Sequence, residues 1–442
     1  MQRRDAEIRE KIAGILAGGG MSGEAAHQLS AWDPYDQNDS APFFDPEWMY
    51  GVTEGFHVVI GNPPYIDSEL MKRNCPEFRD YLRKKMQTTK GNWDIYIPFI
   101  EFANSLLADT GHLSFITPNK WLSAPYGKAL RIHLAGHLRA VADCSRVKVF
   151  EAGNTPVVTL LSASGINTIA VDRFNDDYTI QRSASVSRGS LSDENWGHVL
   201  SPHISLIEKV YRLPCCIADF FTVENPFTTA EAYELRDLLH EEKPSSSAAS
   251  YRFVNTGTIS KFGPLWGSRQ TTYLKTHYER PVVSQRDLLQ LMPRRNKQTQ
   301  RPKIIIKGIR YFDSFVDRDA HFVAGKSTIV IFDSADRTQE LEWLCAIMNS
   351  SLTIFLLRAA FSSLGIDGGI NFSKDMVAAI RLPTLDIHVK HELRKLAKQC
   401  ALAHEYANKA RLDELMVQID SMTFEAFGLT SAEIAVVKGQ NT

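Results

Sequence analysis

Between residues 56 and 161 short β-branched runs alternate with helical stretches, and that rhythm restricts the chain to few folds. Phe56–Ile60 (FHVVI), His112–Thr117 (HLSFIT) and Val157–Leu161 (VVTLL) read as strands. Asp94–Leu107 has helical periodicity, with Ile97, Ile100, Phe102 and Leu106 among its apolar positions, and Gly127–Leu138 reads as a second helix. The alternation predicts an α/β layered unit. Its first strand is stopped by Gly61 and two prolines, the way a buried strand ends at a loop.

The remainder is looser. Residues 1–17 and 23–31 read as short helices, and the chain turns polar from about 165 to 250, where KPSSSAAS (243–250) marks an exposed loop. Lys303–Lys307 (KIIIK) and Ile329–Phe332 (IVIF) are further strands, Leu341–Leu357 a helix, and 388–426 a long amphipathic helix or helix pair. These shifts divide the 442 residues into a lead-in (1–50), an α/β segment (51–165), a mixed segment (166–385) and a helical tail (386–442).

Fifty Lys and Arg against fifty-one Asp and Glu leave a net charge of −1, which excludes a wholly basic nucleic-acid binder. Any such role needs a local patch. The six cysteines form no CxxC pair and have no histidine at zinc-ligand spacing, so a reduced chain without a metal site is expected. No apolar run approaches the ~18 residues of a membrane helix. The opening MQRRDAEIREK continues into acids rather than an apolar stretch, and a cytoplasmic chain is expected.

Two glycine motifs invite a nucleotide reading and fail it. Gly18–Gly23 (GGGMSG) fits G-x-G-x-x-G, but a charged helix precedes it where a dinucleotide site needs a strand. Ala324–Thr328 (AGKST) resembles the end of a phosphate loop, but Ala320 stands where the first glycine belongs and a strand follows.

Asn62-Pro63-Pro64-Tyr65 carries chemistry. An exocyclic amine conjugated with an adenine ring is a poor nucleophile. The Asn62 carboxamide oxygen and the Pro63 carbonyl can each accept one N–H of that amine. Two acceptors outside the ring plane draw the nitrogen towards tetrahedral geometry and localise its lone pair. Consecutive prolines hold that carbonyl in place before reaction. Tyr65 offers a flat face to a base extruded from the duplex. The alternative is a rigid strand-ending turn with a packed tyrosine.

These residues and their flanks resemble the gamma-class N6-adenine DNA methyltransferases of type IIG restriction–modification enzymes. GFHVVIGNPPYI is similar to their motif IV, NWDIYIPFIEFANSLLADTGHLSFITPNKWL to motifs V and VI, and VFEAGNTPVVTLL to motif VIII. AWDPYDQNDSAPFFDPEWMYGV looks like the segment before motif IV, and DSMTFEAFGLTSAEIAVVKG like the family's ending. RPKIIIKGIRYFDSFVDRDAHFVAGKST and GIDGGINF resemble a TaqI-like target-recognition domain. His57 departs from the family's usual Asp.

The resemblance implies an α/β chain: the C-terminal half of a Rossmann-like methyltransferase sheet, then a mixed α/β target-recognition domain, then a C-terminal helical segment. On it, 51–165 is a partial catalytic domain and 166–385 the recognition domain. Asn62, Pro63, Pro64 and Tyr65 are catalytic, and Phe150 joins Tyr65 in stacking on the target base. The cofactor implied is S-adenosylmethionine, the partner is double-stranded DNA and the cell prokaryotic. The residues before Asn62 hold no strand–glycine loop–helix unit. The expected reading is therefore a chain that needs a separate or missing N-terminal half carrying cofactor site and nuclease, and that binds the cofactor weakly by itself.

From Leu288 to Phe312 seven cations stand without an acid: Arg294, Arg295, Lys297, Arg301, Lys303, Lys307 and Arg310. This run is the expected phosphate-contacting patch, against the alternative of a solvated hairpin. Lys128, Arg131, Arg139, Arg146 and Lys148 form a weaker second stretch. A non-catalytic DNA-recognition fragment of a restriction–modification enzyme is the competing reading, and amino methylation of RNA or of protein glutamine a third.

Overall fold

The computed structural model describes residues 2–19, 23–31, 44–147, 149, 155–165, 167–191, 195–243, 249–361, 365–366 and 369–439. A six-stranded sheet contains β1 (Phe56–Gly61), β2 (Leu107–Pro118), β3 (Leu138–Asp143), β4 (Pro156–Ser162), β5 (Thr168–Phe174) and β6 (Ile180–Ser187). Their order is β1-β2-β4-β3-β5-β6. β1 pairs parallel with β2, and β3 with β5, while β4 runs antiparallel to both of its neighbours. Thus β1, β2, β3 and β5 point the same way. β6 returns antiparallel along β5.

Helix Tyr96–Ser105 carries the chain from β1 towards β2 and buries Tyr96, Ile97, Ile100 and Ala103 against the sheet core. Helix Lys128–Leu134 follows β2 and buries Leu130 and Leu134 in the same cluster. The mixed α/β unit that the sequence rhythm predicts is therefore present.

Three elements differ from the sequence reading. The helix expected over 127–138 stops at Leu134, and Leu138–Asp143 (LRAVAD) is a strand between β4 and β5. Leu, Arg and Ala favour helices locally, but pairing on both sides overrides that preference. The sheet also runs past residue 165 to Ser187, so a boundary at 165 falls inside it. β6 (IQRSASVS) is an edge strand whose polar residues give no apolar run to recognise. Finally, the single helix expected at 341–357 is two, Thr338–Asn349 and Ser351–Ala360, bent by 62°. Ser350 sits at the break and its hydroxyl accepts the Thr353 N–H at 3.3 Å, capping the second helix. Among the described residues no single helix is long and apolar enough to cross a membrane.

Beyond the first sheet lie two four-stranded sheets. One has the order Ser314–Asp317, Lys303–Lys307, Thr328–Asp333, Phe221–Glu224, with KIIIK and IVIF as its buried centre. The other has the order Phe322–Ala324, Ser250–Val254, Pro281–Ser284, Leu239–Glu241. Helices Ile387–Glu405, Lys409–Ala426 and Ser431–Gly439 form the tail. Gly18 ends one helix and Gly23 begins the next, while Ala324–Thr328 joins two strands. Neither has the strand–loop–helix setting of a phosphate site.

Candidate active site

Parallel β1, β2 and β3 deliver the loops that follow them to one end of the sheet, where ligands of open α/β sheets bind. The loop after β1 is Asn62–Asp67. A Cβ on Gly61 would stand 2.8 Å from Cε1 of Phe115, so any larger residue there would have to displace the Phe115 ring. Asn62 and Pro64 are exposed, Pro63 is buried and Tyr65 is half-buried. The Asn62 carboxamide makes no hydrogen bond to a described residue and stands open to a substrate. The Tyr65 hydroxyl donates to the Ile116 carbonyl on β2 at 2.9 Å.

The other loops are stitched to this end. Asn119 N–H donates to the Thr155 carbonyl at 3.0 Å, and Cys144 N–H to the Pro156 carbonyl at 3.2 Å. Phe150 lies outside the described residues.

Behind Tyr65 is a polar cluster that motif reasoning passed over. The Asp94 Oδ1 accepts the Ser68 N–H at 3.3 Å and its Oδ2 accepts the Tyr126 hydroxyl at 3.2 Å. The Tyr96 and Tyr126 hydroxyl oxygens are 2.8 Å apart. The Tyr96 ring meets Tyr65 edge-on, centroids 6.4 Å apart at 88°. The signal was the NWDIY run itself, whose Asp and Tyr stand at the entry of a helix that buries Ile97, Ile100 and Ala103.

Burial, and secondarily the charge of Cys144, pushes the Tyr65 hydroxyl up to about 12. Burial raises the Cys144 thiol to about 11. Both are neutral at pH 7. Burial also raises the Asp94 carboxyl above the ordinary range, opposed by the hydrogen bonds from Tyr126 and Ser68 and by Lys120.

The basic run of 288–312 is not one surface. Arg295 is buried and held by Glu231. Lys303 is buried and bonded to Asp317 at 2.6 Å. Neither reaches a phosphate, because each sits on the core side of its element and neutralises an acid distant in sequence. Arg301 is bound to Asp336 at 2.8 Å, and Lys307 lies 3.8 Å from Asp313. Arg294 and Lys297 are exposed on helix Pro293–Thr299. Arg310 falls in strand Ile309–Arg310. In the second stretch, Arg131 is buried and donates to the Trp121 and Ala124 carbonyls at 2.5 and 3.1 Å, fixing the turn after β2. Lys148 lies outside the described residues.

A parallel-cored α/β sheet that presents an Asn-Pro-Pro-Tyr loop at its carboxyl end defines a class of site-bearing α/β domain. Comparison with known proteins shows what this segment is similar to. Residues 22–150 match the Eco57I restriction-modification methylase model. Over that segment the chain is similar to the Eco57I restriction-modification methylases. It is 36% identical over 124 residues to the type II methyltransferase M.PaeR7I of Pseudomonas aeruginosa, covering 27% of this chain and 21% of that protein. It is 34% identical over 80 residues to the type II restriction enzyme and methyltransferase RM.Eco57I of Escherichia coli, covering 18% of this chain and 8% of that protein. The chain thus spans about a quarter or less of the curated relatives it matches. Among solved structures, the type IIL restriction-modification enzyme MmeI in complex with DNA aligns over 86% of this chain and 56% of its own, with TM-score 0.49 and 12% identity.

Proposed function

We propose that this chain forms the amine-binding half of an adenine-N6 DNA methyltransferase. The observation that carries the reading is the Asn62 carboxamide, exposed at the end of β1 beside a buried Pro63 and a ring-anchored Tyr65. Asn62 Oδ1 and the Pro63 carbonyl accept the two N–H groups of an adenine extruded from the duplex. Pro63 and Pro64 keep that carbonyl fixed, and Tyr65 stacks on the base. Phe150 is the second stacking ring of this reading.

S-adenosylmethionine, the methyl donor that the family implies, does not fit the described residues. Among them no strand precedes β1, and the Gly18–Gly23 stretch lies between helices. No step is therefore assigned to the donor. In this reading a further polypeptide segment supplies the cofactor pocket, and the outer edge of β1 is suited to receive it. Val58 and Ile60 are 64% and 78% exposed, and no described strand pairs with that edge. DNA is the partner, with Arg294 and Lys297 as phosphate contacts and Arg301, Lys307 and Arg310 as further candidates.

The test is tritiated-methyl transfer from S-adenosylmethionine to unmethylated plasmid DNA. The chain is supplied with the product of the reading frame immediately upstream, and the DNA is then hydrolysed to nucleosides. N6-methyladenine with the wild-type chain and none with Asn62→Ala is the expected result. DNA binding without methylation in any combination would favour the non-catalytic recognition fragment.

A further inference from the structure

Asp94 ties together three pieces of chain that are distant in sequence. Its Oδ1 holds the Ser68 N–H behind the Asn62–Asp67 loop, and its Oδ2 holds the Tyr126 hydroxyl from the turn after β2. Next to it, Ile95 N–H donates to the Ile66 carbonyl at 3.0 Å. Tyr126 gives its single hydroxyl proton to Asp94, so the 2.8 Å contact between the tyrosines is a bond from Tyr96 to Tyr126. Tyr96 in turn sets its ring against Tyr65. The loop is therefore fixed at its front by the β1–β2 register and at its rear by one carboxylate.

We propose that Asp94, acting through Tyr126 and Tyr96, is a positioning residue that sets the tilt of the Tyr65 ring on which the extruded base stacks. The proposal rests on the reading of residues 62–65 as the amine site. A carboxylate is needed because it accepts from two donors at once. An asparagine would turn an NH2 towards one of them. Facing Tyr126, that NH2 would reverse the relay: Tyr126 would donate to Tyr96, and the buried Tyr96 hydroxyl proton would lose its acceptor. Asp94 touches no substrate in this arrangement and acts only through the rings.

Two readouts on the full chain test this. Hydrogen exchange followed by mass spectrometry reports on the peptide spanning 62–70. Emission of a duplex carrying 2-aminopurine opposite an abasic site reports on stacking, since this probe needs no recognition sequence. Wild type should change that emission on binding, and Tyr65→Ala should not. Asp94→Asn should exchange its 62–70 amides at least about tenfold faster, with β2 amides unchanged, and should lose most of the emission change. DNA affinity by anisotropy should stay within about twofold. Tyr126→Phe, which removes one hydroxyl, should do the same in milder form and serves if Asp94→Asn does not fold. Unaltered exchange, or faster exchange with a wild-type emission change, overturns the positioning role alone. No emission change in the wild type overturns the amine-site reading and the proposal together.

Discussion

The guanidinium of Arg295 lies buried in a two-pronged bond with the carboxylate of Glu231, Nε to Oε1 at 3.0 Å and Nη2 to Oε2 at 2.6 Å. The same carboxylate accepts the Thr228 N–H at 2.7 Å, so one acid caps helix Thr229–Leu238 and anchors helix Pro293–Thr299. Arg295 holds the Glu231 carboxyl down at about 2. Its folded value is depressed, so the stabilisation is fully present above the ordinary glutamate range and disappears as pH falls through about 2. Arg295→Met should cost about 1 kcal/mol at pH 7, given that Glu231 keeps some contact with water. Thermal melts from pH 7 to pH 2 should show the gap to wild type closing below pH ~4.5.

Salt dependence separates the exposed cations from the structural ones. Arg294→Ala with Lys297→Ala should lower the slope of log affinity against log salt by about one unit for each phosphate these side chains neutralise. Arg295→Met should leave the slope alone. An unchanged slope in the double variant would assign these two side chains to solvated surface.

The Lys303–Asp317 pair predicts an asymmetry. Asp317 also accepts the His321 and Phe322 N–H groups at 2.9 and 3.1 Å, whereas Lys303 has only carbonyl oxygens besides this acid. Asp317→Ala leaves a buried ammonium without its counter-charge and two N–H groups without their acceptor, and should cost about 3–5 kcal/mol. Lys303→Met leaves a carboxylate that still has two donors and should cost less. Urea unfolding of the two variants gives the order directly.

Tyr65 carries two separable roles. Tyr65→Ala removes the stacking face and should weaken base capture by about 1–3 kcal/mol. Tyr65→Phe keeps the ring but removes the bond to the Ile116 carbonyl, so an intermediate loss of about 1 kcal/mol is expected rather than none. Methyl-transfer rates of the complemented chain, with DNA affinity measured alongside, test both.

What was readable in the sequence was what local chemistry declares. The FHVVI strand, its arrest at Gly61-Asn62-Pro63, and the buried KIIIK and IVIF strands all follow from apolar runs and breakers. LRAVAD escaped because strand pairing, not propensity, makes it a strand, and IQRSASVS because only Ala184 and Val186 of this edge strand pack into a core cluster, too few to make an apolar run. The charge run misled for a related reason. Linear spacing shows that Arg295 and Lys303 are near no acid in sequence, but Glu231 and Asp317 reach them through the fold. Asp94 was visible as a letter and invisible as a contact, since its partners Ser68 and Tyr126 lie on either side of it in the chain.

The edge of β1 that no described strand covers has a practical side. An open row of backbone donors and acceptors flanked by Val58 and Ile60 is a template for any passing strand, including the same strand of another molecule. By itself the chain should lose material from solution faster as concentration rises, and a segment that pairs with this edge should keep it in the supernatant.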